Sequence, residues 1–122
     1  MQVLADTSVW VGHFKAFNPH LKKLIERDCV LTHPLILGEL ACGTPPQRVQ
    51  TLAAMGLLQK AQQASLQETL DLIERKGLFG QGCGIVDMLL LASTLITPNA
   101  QMWTYDNRLA NLARQLNILY QP

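Results

Sequence analysis

Polarity along the chain alternates between two kinds of unit. Short, unbroken apolar runs such as "VLA" at 3–5, "CVLT" at 29–32 and "QMWTY" at 101–105 are separated by longer stretches with an apolar residue every third or fourth position. The first kind predicts buried strands and the second amphipathic helices. Residues 2–5 are the first strand, followed by a helical turn through Trp10 and Phe14. "NPHLKKLIERD" sets Leu21, Leu24 and Ile25 on one helical face with lysines opposite. Pro34 suits the first turn of a helix running to about Cys42, because its missing N–H has no intrahelical partner there. "GTPPQ" breaks that helix, another takes residues 47–55, and a brief strand falls at 57–61. "SLQETLDLIERKG" carries its own punctuation: Ser65 as N-cap, Glu68 three residues on, Gly77 as terminator. After a glycine-rich loop, "IVDMLLLASTLI" is apolar nearly all round, which predicts a helix buried on most sides. "NRLANLARQL" is a further helix and "ILY" a last edge strand. Strands alternating with helices predict an α/β fold: a parallel sheet of short strands with helices on both faces. No repeat or linker interrupts residues 1–122, so one domain is expected.

Composition adds boundaries rather than detail. With 48% apolar and 16% charged residues, the chain is globular rather than disordered. A net charge of +1 carries no broad basic footprint, so any nucleic-acid contact must be local. Cys29, Cys42 and Cys83 are an odd number without a CxxC pair, which predicts reduced thiols and a cytoplasmic setting. The first residues lack a basic segment followed by an apolar one, so no signal peptide is expected. The longest apolar run, "MLLLASTLI", falls well short of the roughly 20 residues a membrane span needs.

The nine acidic residues divide by context. Glu26, Asp28, Glu68, Asp71 and Glu74 stand on polar helix faces; Lys22 with Glu26, and Asp71 with Arg75, are spaced to pair across one turn. Asp6, Glu39, Asp87 and Asp106 sit in "VLADTS", "LILGELA", "GIVDMLLL" and "WTYDNR", and only Asp106 has a base within three positions. Ionised carboxylates in such settings are costly unless something compensates them. Taken singly, Asp6 and Asp106 read as N-caps and Asp87 as a first-turn anion on a helix dipole. Glu39 is too deep in its helix to cap it, and its bland reading is a tertiary salt bridge. Taken together, the four acids point elsewhere. Asp6 and Asp106 close two parallel strands, where open α/β sheets bind ligands, and Glu39 and Asp87 lie near helix starts able to face that crevice. Four converging carboxylates repel unless a cation sits among them. Oxygen-only donors suit a hard ion, Mg²⁺ or Mn²⁺, rather than zinc.

"LADTSVW", "ILGELACG", "GCGIVDMLLLAS" and "MWTYDNRL" resemble, in order and spacing, the motifs of PIN-domain ribonucleases, and most nearly the VapC-type toxins of bacterial toxin–antitoxin pairs. The resemblance covers essentially the whole chain. It implies a single PIN-like domain over residues 1–122, with about five parallel strands. It also implies an acidic Mg²⁺ site, cleavage of single-stranded RNA, a homodimer, and neutralisation by a small cognate antitoxin whose tail enters the acidic crevice. Asp6, Glu39, Asp87 and Asp106 match the four acids of the family in order, and Thr104 matches the hydroxyl residue two before the last. The near-neutral net charge leaves the RNA-binding surface poorly marked.

The chemistry this implies is metal-assisted hydrolysis of an RNA phosphodiester. Asp6 and Asp87 are the expected direct metal ligands. Asp106 would ligate directly or through a water, and Glu39 would orient the water or relay its proton. Thr104, with Thr7 or Ser8, would hydrogen-bond a carboxylate or the scissile phosphate, and Arg108 would meet substrate. Lys15, Lys22, Lys23 and Arg27 are basic candidates whose bland reading is a solvated face. "GLFGQGCG" lacks the preceding strand of a dinucleotide loop and reads as a connector that delivers Asp87. His13, His20 and His33 have no ligand spacing and read as structural; Trp10 and Trp103 read as core. The dimer surface is expected on the helices between residues 34 and 76. Two rivals stand beside this reading. One is an Mg²⁺-dependent aspartyl phosphatase or phosphoacceptor, against which Ser8 stands where Asp-x-Asp would be wanted. The other is a non-catalytic RNA- or protein-binding module whose acids merely cap helices.

Overall fold

Strand β1 (Gln2–Ala5) runs through the middle of the sheet, with Val3, Leu4 and Ala5 wholly buried. Successive strand residues point to opposite faces, so burial of Val3 and Leu4 alike requires cover on both sides of the sheet. A computed structural model describes all of residues 1–122. After β1 come α1 (Thr7–Lys15), α2 (Pro19–Glu26), β2 (Val30–Thr32), α3 (Pro34–Ala41), α4 (Arg48–Met55) and β3 (Gln59–Lys60). α5 (Leu66–Lys76), α6 (Ile85–Ile96), β4 (Ala100–Trp103) and α7 (Asn107–Gln115) complete the chain.

All pairings are parallel: Val3 lies opposite Val30 of β2, and Gln2 to Ala5 run opposite Ala100 to Trp103 of β4. β3 adds to the far side of β2, giving the order β3-β2-β1-β4. The chain therefore steps outward from β1 through β2 to β3, then crosses back to place β4 on the other flank. The order reverses at β1, and the crevice at a parallel sheet's switch point opens above the carboxyl ends of the strands beside it, here β1 and β4.

The expected fifth strand is smaller than its sequence suggests. "ILY" contributes one bridge, Leu119 beside Met102, so the sheet has four strands and a bridge. Asn117 takes a left-handed turn (φ +59°) to leave α7, and only the stretch just beyond it lies along β4. The strand expected at 57–61 shrinks to two residues because the Leu57 and Leu58 amides still bond back to the carbonyls of Ala54 and Met55. Both residues of β3 are exposed, and Lys60 charges this edge of the sheet against further pairing.

Helix boundaries follow their signals. Ser65 Oγ accepts from the Glu68 amide at 3.0 Å while Glu68 Oε1 accepts from the Ser65 amide at 2.8 Å, and Gly77 ends α5 with φ +62°. Asp71, expected to pair with Arg75, is instead met by Gln67 Nε2 at 2.9 Å. Pro34 opens α3, capped by His33, whose Nδ1 accepts from the Leu35 amide at 3.0 Å. His33 also bonds Ser93 at 3.0 Å, His20 bonds the Tyr120 hydroxyl at 2.7 Å, and His13 Nδ1 accepts from the Asn18 amide at 3.0 Å. All three histidines hold structure, as expected. Within α6, Met88, Leu90, Leu91, Ala92, Ser93 and Thr94 are all buried, and the four apolar ones share one core with Trp10 and Trp103. The cysteines are free thiols. No helix is long and apolar enough to cross a membrane.

Candidate active site at the carboxyl ends of β1 and β4

Asp6 directly follows β1 and is only 6% exposed. It caps α1: the Val9 amide donates to its Oδ1 at 3.3 Å. Ser8 Oγ donates to the same oxygen at 2.5 Å, and Thr104 Oγ1 donates to Oδ2 at 2.5 Å. Burial pushes the carboxyl above the usual range, while these three bonds pull the other way. A carboxylate offers about four acceptor directions. With two donors on Oδ1 and one on Oδ2, Asp6 keeps acceptor capacity on Oδ2.

Asp106 is reached from β4 through Thr104 and Tyr105, and it caps α7. Its Oδ1 accepts from the Arg108 amide at 2.9 Å and the Leu109 amide at 3.4 Å, so no capping amide occupies its Oδ2. Its own amide donates to Thr104 Oγ1 at 3.0 Å. Thr104 therefore ties Asp6 to the start of α7. Ser8 makes the mirror connection: it donates to Asp6 and accepts from the Tyr105 amide at 2.9 Å. Two hydroxyls thus bolt together the ends of β1 and β4. The capping reading and the site reading of Asp6 and Asp106 are not rivals, since each carboxylate caps with one oxygen and leaves capacity on the other.

Glu39 projects from the middle of α3 into solvent, and its Oε1 accepts from Thr7 Oγ1 at 2.8 Å. Asp87 sits half-buried in the first turn of α6. Burial raises its carboxyl, the charge of Asp106 raises it further, and Asp6 and Glu39 add to the same effect. Such influence fades with distance and screening, so the other three acids lie within charge range of Asp87. No three of the acidic, histidine or cysteine side chains draw together into a tight coordination shell. The hydroxyl protons of Thr7, Ser8 and Thr104 are directed to Glu39 and Asp6; of the two roles open to them, these bonds serve the carboxylates.

The glycine-rich loop before α6 holds a base at this crevice. Gly82 has φ +87°, and a Cβ there would lie 2.8 Å from Arg108 Cδ, so the arginine side chain crosses directly over bare backbone. The Cys83 thiol beside it is raised by burial and by Asp87 and Asp106, with Arg108 opposing. Arg108 therefore stands among the acids. Lys15 lines a cleft of about 360 Å³ between α1, α3 and residues 43–46, with Thr7 and Glu39 also in its wall. Lys22, Lys23 and Arg27 are exposed, in keeping with a solvated face. The residue that sequence reasoning passed over is Tyr105. Its only signal was position, between Thr104 and Asp106, and an aromatic at a strand end usually belongs to the core.

A parallel α/β sheet with an acid-lined crevice at its switch point is the architecture of a PIN-like nuclease. No family model matches the chain. The chain is similar to Ribonuclease VapC32 of Mycobacterium tuberculosis, in strains CDC 1551 / Oshkosh and ATCC 25618 / H37Rv. Each is 38% identical over 107 residues, covering 88% of this chain and 86% of the relative. The chain belongs to the VapC-type ribonucleases, the toxin components of toxin–antitoxin pairs, and is an endoribonuclease.

Proposed function

We propose that residues 1–122 form one nuclease domain that hydrolyses RNA phosphodiesters at a divalent-metal site built from Asp6, Glu39, Asp87 and Asp106. The observation that carries this reading is Asp6, a buried carboxylate at the carboxyl end of β1 that is held by Ser8, Thr104 and the Val9 amide and by no base, with Asp87 raised by burial and then by the charges of the other three acids. The donor set fits a hard cation. It is carboxylate and hydroxyl oxygen throughout, and Asp6 is a buried carboxylate bonded to two hydroxyls and an amide rather than to a base. When bound, a divalent ion, Mg²⁺ with Mn²⁺ as the alternative, balances the carboxylates, draws charge from the phosphoryl oxygens and acidifies water.

Asp6 and Asp87 are the holding carboxylates. Ser8 and Thr104 fix the orientation of Asp6 through both its oxygens. Asp106, locked at one oxygen by the first turn of α7, offers the other to the site or to a water. Glu39, steadied by Thr7, is exposed and suited to orient the attacking water and accept its proton. Arg108, laid across Gly82, meets a phosphate of the substrate. The partners that go with this reading are single-stranded RNA, a cognate antitoxin with a basic group entering the acidic crevice, and a second copy of the chain.

Incubation of the purified protein with RNA in Mg²⁺ tests it. Cleavage should stop in EDTA, and Asp6→Asn should lower the rate by more than about a hundredfold with the fold intact. Cleavage that persists in EDTA, or in Asp6→Asn, overturns the assignment.

A further inference from the structure

We infer that Tyr105 is a stacking platform for an unpaired nucleobase adjoining the phosphodiester that is cut. This rests on the location of the active site proposed above. The tyrosine lies between two residues of that site, Thr104 and Asp106, yet the residue is 50% exposed. An exposed aromatic side chain is ordinarily free to turn, but this one is fastened at its amide, its hydroxyl and its ring. Its amide is bonded to Ser8 Oγ at 2.9 Å, and its hydroxyl accepts from Asn18 Nδ2 at 2.9 Å. The ring meets Trp103 edge to face, with centroids 6.0 Å apart and planes at 85°. It also lies so close to α1 that a Cβ on Gly12 would come within 3.2 Å of its Cε2.

Trp103 is itself buried, at 3% exposed, and packed against His20 and Tyr120, so the support beneath the tyrosine is rigid. A fixed ring loses little freedom when a flat ligand settles on it. Nothing in the core needs its exposed part, and the fastening keeps an apolar surface in water beside the acids. Each base presents a π-face whatever its sequence, so such a platform binds single-stranded RNA with little regard to base identity. It also complements the acids. They repel the RNA backbone, and stacking supplies an uncharged hold next to the phosphate they must act on.

The test is a double-mutant cycle between protein and RNA. The probe is a fluorescein-labelled single-stranded RNA spanning a cleavage point mapped with the wild-type protein. Partner RNAs carry an abasic nucleotide at each position flanking that point in turn. Binding is followed by anisotropy in EDTA, and cleavage by initial rates in Mg²⁺. Tyr105→Ala should raise the Kd and KM roughly tenfold with kcat within about twofold. Tyr105→Trp should restore binding, and Tyr105→Leu, apolar but without a π-face, should not. At one flanking position the abasic RNA should weaken wild-type binding by a similar factor and leave Tyr105→Ala binding unchanged.

Additive losses at every position, or a fall in kcat alone, would mean that Tyr105 only supports the β4–α7 connection, and would overturn the inference. So would unchanged RNA binding with weakened antitoxin binding, which would make Tyr105 a protein-contact residue. Asp6→Asn in parallel separates the premise from the inference: it should abolish cleavage and retain the dependence of binding on Tyr105.

Discussion

At the scale of single residues, the site holds charge that folding alone would not favour. Asp87 is raised by burial and by three neighbouring acids, so the folded protein binds a proton there more readily than the unfolded chain. Between the ordinary carboxylate value and the raised one, the folded state carries more protons, and stability falls as pH rises through that window. Asp87→Asn should therefore raise Tm at pH 7 by a few degrees while removing cleavage, and the gain should close as pH falls toward about 4. Thermal denaturation by circular dichroism at both pH values checks this; an Asn variant less stable at pH 7 would contradict it. The acids were legible in sequence because a charge inside an apolar run has few explanations. The hydroxyls were legible as candidates but not as connectors, since nothing in "DTS" or "WTYD" says that Ser8 and Thr104 meet across the sheet. Tyr105 was illegible because its significance lies in what fastens it: Asn18 and Gly12 are far away in sequence, and the nearby Trp103 gives no sign of how the two rings meet.

Among elements, the boundaries marked by local chemistry were readable and those set by pairing were not. Ser65, Glu68 and Gly77 delimit α5 through bonds within a few residues of each other, and the structure keeps them. The lengths of β3 and of the Leu119 bridge depend on where partners stop, which apolar content cannot reveal. The loop between α5 and α6 shows why its glycines differ. Gly80 and Gly82 both have positive φ, at +73° and +87°, but only Gly82 has Arg108 against it. Gly80→Ala and Gly82→Ala should each cost about 1 kcal/mol or more of stability through backbone strain. Only Gly82→Ala should also displace the arginine and raise the KM for RNA, by roughly tenfold, and steady-state kinetics of the pair isolates the contribution of Arg108. Equal KM values for the two would remove Arg108 from substrate binding.

Over the whole molecule, a parallel sheet whose order reverses at β1 sets Asp6 beside Thr104 at the carboxyl ends of neighbouring strands, and the proposed metal site is built there. A ligand that binds only the folded protein stabilises it in proportion to the logarithm of its concentration. Mn²⁺ or Mg²⁺ at about ten times its Kd should raise Tm by a few degrees in the wild-type protein and leave Asp6→Asn unmoved, measured without any RNA present. Equal shifts in both proteins would place the ion elsewhere. The bond from Thr104 to Asp6 spans 98 positions of a 122-residue chain, and β1 cannot pair with β4 until nearly all of it exists. Contacts so remote in sequence form late. A polypeptide still emerging from the ribosome therefore carries Asp6 before the strand that must lie beside it has been made.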